Sequence, residues 1–142
     1  MLKIQKILTG VVLILVIASI YFYVKVYNRP HVNMANISTK VKINSSDLVT
    51  LFILDEETAN LAYVEKIIEV EGTIKEITYQ NNINTVLLRS NIDSSSVICE
   101  MQKNQLEEVK KFQKGERVRI KGICKGFLMD AVVLNCIIVT NE

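Results

Sequence analysis

Arg117, Arg119 and Lys121 are spaced by two, and Lys125 follows them. On a β-strand that spacing turns the first three to one face. A row of guanidinium and ammonium groups grips phosphates or carboxylates, so this stripe is the first place to look for ligand chemistry. Its competing reading is an ordinary solvated strand face whose charges discourage edge-to-edge pairing.

The remaining reactive side chains offer less. Cys99, Cys124 and Cys136 all fall in phase with apolar neighbours on expected strands, as buried small hydrophobes would. A Cys124–Cys136 disulfide is the alternative if the domain lies outside the cytoplasm, because the two flank one expected hairpin turn. No CxxC pair occurs, and the single histidine, His31, stands far from the cysteines, so neither a metal nor a cofactor is expected. Asp55, Glu56 and Glu57 form an acidic cluster that reads as a solvated helix face rather than a metal site. Ser94–Ser96 has no base beside it, and there is no glycine-rich phosphate loop. The residues therefore point away from an enzyme.

These groups need elements to hold them, and the first element is unmistakable. The eighteen residues from Ile7 to Val24 contain no ionisable acid or base and lie between Lys6 and Lys25. As a helix they span about 27 Å, close to a bilayer's hydrocarbon thickness. Tyr21, Phe22, Tyr23 and Tyr27 suit an interfacial aromatic belt and obstruct a small-residue cleavage site, which favours an uncleaved single-span anchor over a cleaved signal peptide. No cysteine precedes Cys99, so a lipid-modified N-terminal cysteine is not expected. Flanking cations stand on both sides of the span. The position of the segment, where an export signal would sit, favours a cytoplasmic N-terminus with the domain outside. The formal charge of +2 conceals an asymmetry. From Pro30 onward thirteen cations face fifteen acids, a poor balance for general binding of nucleic acid.

The expected boundaries are a tail over 1–6, the anchor over 7–24, a linker over 25–45, a lead-in helix over 46–65 and a domain over 66–140. The linker holds the only proline, Pro30, and His31, with a short extended piece at Lys40–Ile43. Leu48, Leu51, Phe52, Ala59, Ala62 and Tyr63 place one apolar stripe on the lead-in helix. From Lys66 the period becomes two, and a phase slip at Lys75–Glu76 with Gly72 before it predicts a long bent strand with a bulge. Gln80–Asn84 is a turn, Thr85–Arg89 and Ser96–Met101 are strands, and Gln102–Gln113 is a helix. That helix has Leu106, Val109 and Phe112 on one side, a Glu107–Lys111 pair, and Gly115 as its stop. Glu116–Cys124 and Ala131–Thr140 are the last strands, the latter with Val132, Leu134, Cys136 and Ile138 in one phase.

Five strands with one helix between the third and fourth is the element order of an OB-fold, a five-stranded barrel of the all-β/α+β class. Such barrels meet ligands on strands two and three and on the loops joining strands 1–2 and 4–5. Together with the basic stripe, this makes Tyr79, Arg89, Arg117, Arg119, Lys121, Lys125 and Phe127 the candidate ligand-binding residues. Single-strand binders need aromatic platforms, and Tyr79 and Phe127 are the only two nearby.

Residues 46–72, SDLVTLFILDEETANLAYVEKIIEVEG, resemble the lead-in of the tRNA-anticodon-like OB-fold family, with Ala59, Tyr63, Lys66, Val70 and Gly72 at its characteristic places. VICEM and GERVRIKGICKGFLMDAVVLNC are similar to its later half, including Gly115 and the three cysteines. The resemblance covers roughly residues 46–140 and implies a small exported or anchored protein of the bacterial envelope. It carries over no catalytic or ligand residues. Three functions follow as expectations. The favoured one is a membrane-tethered, non-catalytic module for a protein, peptide or glycan partner. The second is binding of single-stranded nucleic acid or tRNA on the barrel face, and the third is a structural subunit of an envelope assembly.

Overall fold

The computed structural model describes residues 1–27, 34, 37–39 and 41–140, without the side chains of 2–4 and 25–27. Residues 28–33, 35, 36 and 40 of the expected linker, including Pro30 and His31, lie outside the described residues. The chain divides into two compact units, Met1–His31 and Val32–Glu142.

In the first unit α1 runs Leu2–Tyr27, and its stretch Gln5–Val24 is long and apolar enough to cross a membrane. Two of its polar side chains bond back to the helix's own carbonyls. Thr9 Oγ1 donates to the Gln5 carbonyl at 2.7 Å and Ser19 Oγ to the Leu15 carbonyl at 2.8 Å. Such pairing is what hydrocarbon surroundings demand of polar groups.

The second unit is a five-stranded closed barrel with one added edge strand. Its elements are β1 (Lys42–Asn44), α2 (Ser45–Leu54), α3 (Glu56–Tyr63), β2 (Ile67–Gln80), β3 (Ile83–Arg89), β4 (Ser96–Met101), a 3-10 turn (Lys103–Gln105) running into α4 (Leu106–Val109), β5 (Arg117–Phe127) and β6 (Ala131–Ile138). The strands follow the order β1-β2-β3-β4-β6-β5, and β2 pairs again with β5 to close the barrel. β2 achieves this by serving both edges: residues 67–73 pair with β5, and after a register shift between Ile74 and Glu76 the rest pairs with β3. The bulge stands where the period-two phase slips in the sequence. Alternating Ile68, Val70, Ile74, Val86, Leu88, Val97, Cys99, Val118 and Ile120 fill the interior. Asn81 and Asn82 take positive φ and form the two-residue β2–β3 turn, a role open to asparagine because it tolerates that region.

Three details depart from the sequence expectation, and a fourth bears it out in paired form. The lead-in helix is two helices, because Asp55 ends α2 and caps α3, its carboxylate accepting from the Thr58 N–H at 3.0 Å. That backbone hydrogen bond, chiefly, holds the Asp55 carboxyl below its ordinary pKa. The helix expected over 102–113 is only a 3-10 turn and the single turn α4, and its ion pairs are Glu107–Lys110 and Glu108–Lys111, both at 2.8 Å, rather than Glu107–Lys111. In β6 the buried residues are Ala131, Val133, Cys136 and Ile137, so that of the expected phase only Cys136 is buried while Val132, Leu134 and Ile138 are half-buried. Asn135, at φ 56, interrupts the alternation and shifts the phase. Finally, the extended piece near 40–43 is β1, paired in parallel with β2 through Lys42–Glu69, Ile43–Val70 and Asn44–Glu71.

Gly72 and Gly122 are fixed by close approach. A Cβ on Gly72 would collide with Ser45, whose Oγ donates to the Arg89 carbonyl at 2.6 Å. A Cβ on Gly122 would stand 2.6 Å from Cys136 Sγ, 2.7 Å from Val133 Cγ1 and 2.9 Å from the Leu134 carbonyl oxygen. Gly122→Ala therefore forces β5 away from β6 and is expected to cost about 1–3 kcal/mol. Denaturant unfolding of the full-length protein checks this, and a change below about 0.5 kcal/mol, the level of a neutral surface substitution, would contradict it.

Candidate ligand face and its charge network

β5 projects its odd residues outward and its even residues, Val118 and Ile120, into the core, as the alternation requires. The outward side is not a free basic stripe. β2 runs antiparallel beside it and presents Glu69 and Glu71 in the matching phase, with Glu71 opposite Arg119 and Glu69 opposite Lys121. Arg117 Nε lies 2.7 Å from Glu71 Oε1. Arg119 Nε lies 3.2 Å from Glu69 Oε1, and its Nη2 3.8 Å from Glu71 Oε2. Lys42, on β1, reaches Glu69 from the other side at 3.4 Å. Glu69 is almost fully buried under these cations.

Lys121 departs furthest from a solvated reading. Only 8% of its surface is exposed, and Nζ donates to the carbonyls of Met34 and Ile37 at 3.2 and 3.1 Å. Its charge thus straps the chain before β1 to the barrel, and Met34 is itself buried. Lys125 pairs with Glu65, Nζ lying 2.9 and 2.8 Å from its two carboxylate oxygens.

The other candidates are dispersed. Phe127 is half-buried and stacks on Phe52, ring centroids 5.6 Å apart and 8° from parallel, so it serves the core and is not a platform for a base. Tyr79 is exposed, but its hydroxyl is held by Asn82 Oδ1 at 2.8 Å within its own hairpin. Arg89 is exposed beside a cleft of about 60 Å³ lined by Lys75, Ser90, Asp93 and Ser95. The structure groups Arg117, Arg119 and Lys121 and leaves Tyr79, Arg89, Lys125 and Phe127 apart from them.

Two shallow clefts open on the charged face, of about 350 and 200 Å³, and both include Glu71 and Arg119. Arg117 and Phe112 line the larger, Lys42 and Glu69 the smaller. Around the barrel, the register sets Glu76 beside Leu87 and Leu87 beside Ile98, with Thr85 beside Glu100 one row on. Leu87 and Ile98 are half-buried, Glu76 and Glu100 exposed. The outward face of β3 and β4 therefore carries Thr85, Leu87, Ile98 and Glu100, with exposed Arg89 in the same phase at one end. Glu69, Glu71, Lys42 and the strap at Met34 and Ile37 were missed as partners of the stripe. The Glu-x-Glu spacing in IEVEG was their visible signal.

Cys99, Cys124 and Cys136 are free and buried. The Cys124–Cys136 bridge is not formed, since the β5–β6 register sets Val133 opposite Cys124, while Cys136 pairs beside Met101 on β4. Burial pushes the Cys124 thiol up and the Cys136 thiol well up, Cys99 adding to the latter. All three are expected to resist thiol reagents at neutral pH in the folded protein and to react together once it is denatured. A fast-reacting thiol in the native state, or fewer than three after denaturation without reductant, would contradict this. Among the described residues no cluster of His, Cys, Asp or Glu could hold a metal ion.

Comparison with known proteins places this geometry. No functionally curated protein matches the chain. Among solved structures, a Klebsiella pneumoniae lipoprotein, described provisionally as nucleic acid-binding, superposes with a TM-score of 0.60 at 17% identity, covering 70% of this chain and 92% of its own. Asparaginyl-tRNA synthetase from Pyrococcus horikoshii matches with a TM-score of 0.44 at 16% identity, over 57% of this chain and 20% of that one. A replication factor A related protein from Methanobacterium thermoautotrophicum gives 0.41 at 14% identity, over 54% and 83%. At 17% identity the likeness to the Klebsiella lipoprotein is one of fold. The tRNA_anti-like family model matches residues 1–138, and the chain belongs to the tRNA_anti-like family of OB-fold domains.

Proposed function

We propose that this protein is a membrane-anchored, non-catalytic OB-fold module of the bacterial envelope whose partner is a protein, peptide or glycan. One observation carries the reading. Every cation of the β5 stripe is answered inside the fold: Arg117 and Arg119 by Glu71 and Glu69, Lys121 by two carbonyls, Lys125 by Glu65. Phosphate backbones are bound by free cations that displace the counterions condensed on the nucleic acid, and a stripe already paired inside the fold supplies few. Glu76 and Glu100 on the neighbouring face add repulsion. The clefts that share Glu71 and Arg119 instead suit a ligand carrying polar groups of both signs, as peptides do, which can exchange partners with the ion pairs. α1 supports the anchoring, and the reading takes the N-terminus as cytoplasmic with the domain outside.

Crosslinking in intact membranes tests the proposal. The expected result is recovery of a defined protein or glycan partner through residues of the charged face, reduced by Arg119→Glu. Recovery of nucleic acid alone would overturn it. Protease added to intact cells or spheroplasts is expected to digest the domain, and full protection would reverse the orientation. Single-stranded nucleic acid is the second reading, favoured by the family's fold kinship with anticodon-binding domains.

A further inference from the structure

Among the described residues of the Val32–Glu142 unit, the most exposed large apolar side chains are Leu54 (77%), Leu61 (75%), Leu128 (93%) and Met129 (74%). All four belong to one end of the barrel. Leu54 ends α2 two residues after Phe52, which stacks on Phe127 immediately before the β5–β6 turn. α3, which carries Leu61, is followed by Val64, whose Cγ2 lies 3.9 Å from where a Gly126 Cβ would stand, and by Glu65, whose N–H donates to the Cys124 carbonyl at 2.8 Å. Turns of this kind are ordinarily polar, yet here Leu128 and Met129 form the tip. The turn is held in shape: the Leu128 N–H donates to the Asp130 carbonyl at 3.3 Å, and the Asp130 carboxylate accepts from the Ser96 N–H at 2.6 Å. The core is filled without these side chains, and exposed apolar side chains gathered at one end of a domain are the mark of an interaction surface.

We propose that this end of the barrel, led by Leu128 and Met129, inserts shallowly into the surface of the lipid bilayer that α1 enters. The inference rests on the membrane-anchored reading above. A bilayer is the fitting occupant for two reasons. The tip is convex and small, and a fluid interface accepts such a tip without a complementary pocket, in the manner of apolar side chains buried at the headgroup boundary. The bilayer is also permanently at hand. Only residues 28–33 lie between the end of α1 and Met34, which is already buried in the second unit and strapped by Lys121. Contact with the bilayer is then intramolecular, and a few apolar side chains suffice at a high effective concentration. Lys66, which donates to the Leu61 carbonyl at 2.7 Å, and Lys125, paired with Glu65, border the same end at headgroup level.

The chain contains no tryptophan, so single-tryptophan variants of the full-length protein report directly. Met129→Trp, Tyr79→Trp and Ile14→Trp would be placed in phosphatidylcholine–phosphatidylglycerol vesicles with brominated acyl chains. Met129→Trp is expected to emit to the blue of Tyr79→Trp and to be quenched about twofold or more beyond it, as an interfacially buried side chain would be. Adding Leu128→Asp should remove most of that difference. Strong quenching of Ile14→Trp with Met129→Trp quenched no more than Tyr79→Trp would overturn this inference and leave the anchor standing. A blue-shifted but unquenched Met129→Trp would also overturn it, by showing a protein contact in place of lipid. Absence of quenching at Ile14→Trp would overturn the anchored reading itself, and this inference with it.

Discussion

Phe52→Ala is expected to destabilise the barrel unit by about 3–5 kcal/mol, the range for truncating a fully buried aromatic ring. Phe52 is 2% exposed and sits between two rings, Phe127 at 5.6 Å and Tyr63 at 6.4 Å. It ties together α2, the end of α3 and the end of β5, which are far apart in the sequence. The expected signature is a lower denaturation midpoint, read from tyrosine fluorescence or near-ultraviolet dichroism, because the helical signal of α1 would mask the change in the far ultraviolet. Phe127→Ala should cost less, since that ring is only half-buried. A Phe52→Ala loss below about 1 kcal/mol, typical of an average substitution, would mean that the helices do not close the barrel as described.

The second large effect centres on Glu69. Its Oε1 lies 3.2 Å from Arg119 Nε and 3.4 Å from Lys42 Nζ, yet it accepts no hydrogen bond, so the attraction is coulombic rather than directed. Glu69→Ala leaves Arg119 under-neutralised against the sheet. Breaking a buried pair costs 3–5 kcal/mol. The charge left behind is Arg119, 29% exposed and still 3.8 Å from Glu71, and the Lys42 side chain is 66% exposed, so screening by water sets the expectation below that range, at about 1–2 kcal/mol. Glu69→Gln should fall close to Glu69→Ala, because the charge rather than a hydrogen bond is what is lost. A Gln variant as stable as the parent would contradict this account of the network.

The barrel was legible in the chain because its determinants are local. Alternation marked all five barrel strands, the phase slip at Lys75–Glu76 marked the bulge, and the apolar run before Lys25 marked α1. What escaped was set by backbone conformation or by contacts that residue types alone leave open. Asp55 could be a solvated acid or a cap between two helices, and only the placement of Thr58 decides between them. The apolar pattern of β6 fits either phase until Asn135 enters the left-handed region. Lys121 shares its spacing with Arg117 and Arg119, but its environment comes from Met34 and Ile37, more than eighty residues away. The stripe itself was visible. Its neutralisation depends on the β2–β5 register, which no single strand reveals.

Oligonucleotide binding by the full-length protein in detergent, followed by anisotropy from low to moderate salt, tests most directly the claim that the cations of β5 are spent inside the fold. Single-stranded DNA and RNA should give no saturable complex tighter than about 10⁻⁴ M, the weak limit of non-specific binding, and little change on Arg117→Glu with Arg119→Glu. A micromolar complex that weakens steeply with salt and disappears in that double variant would contradict it.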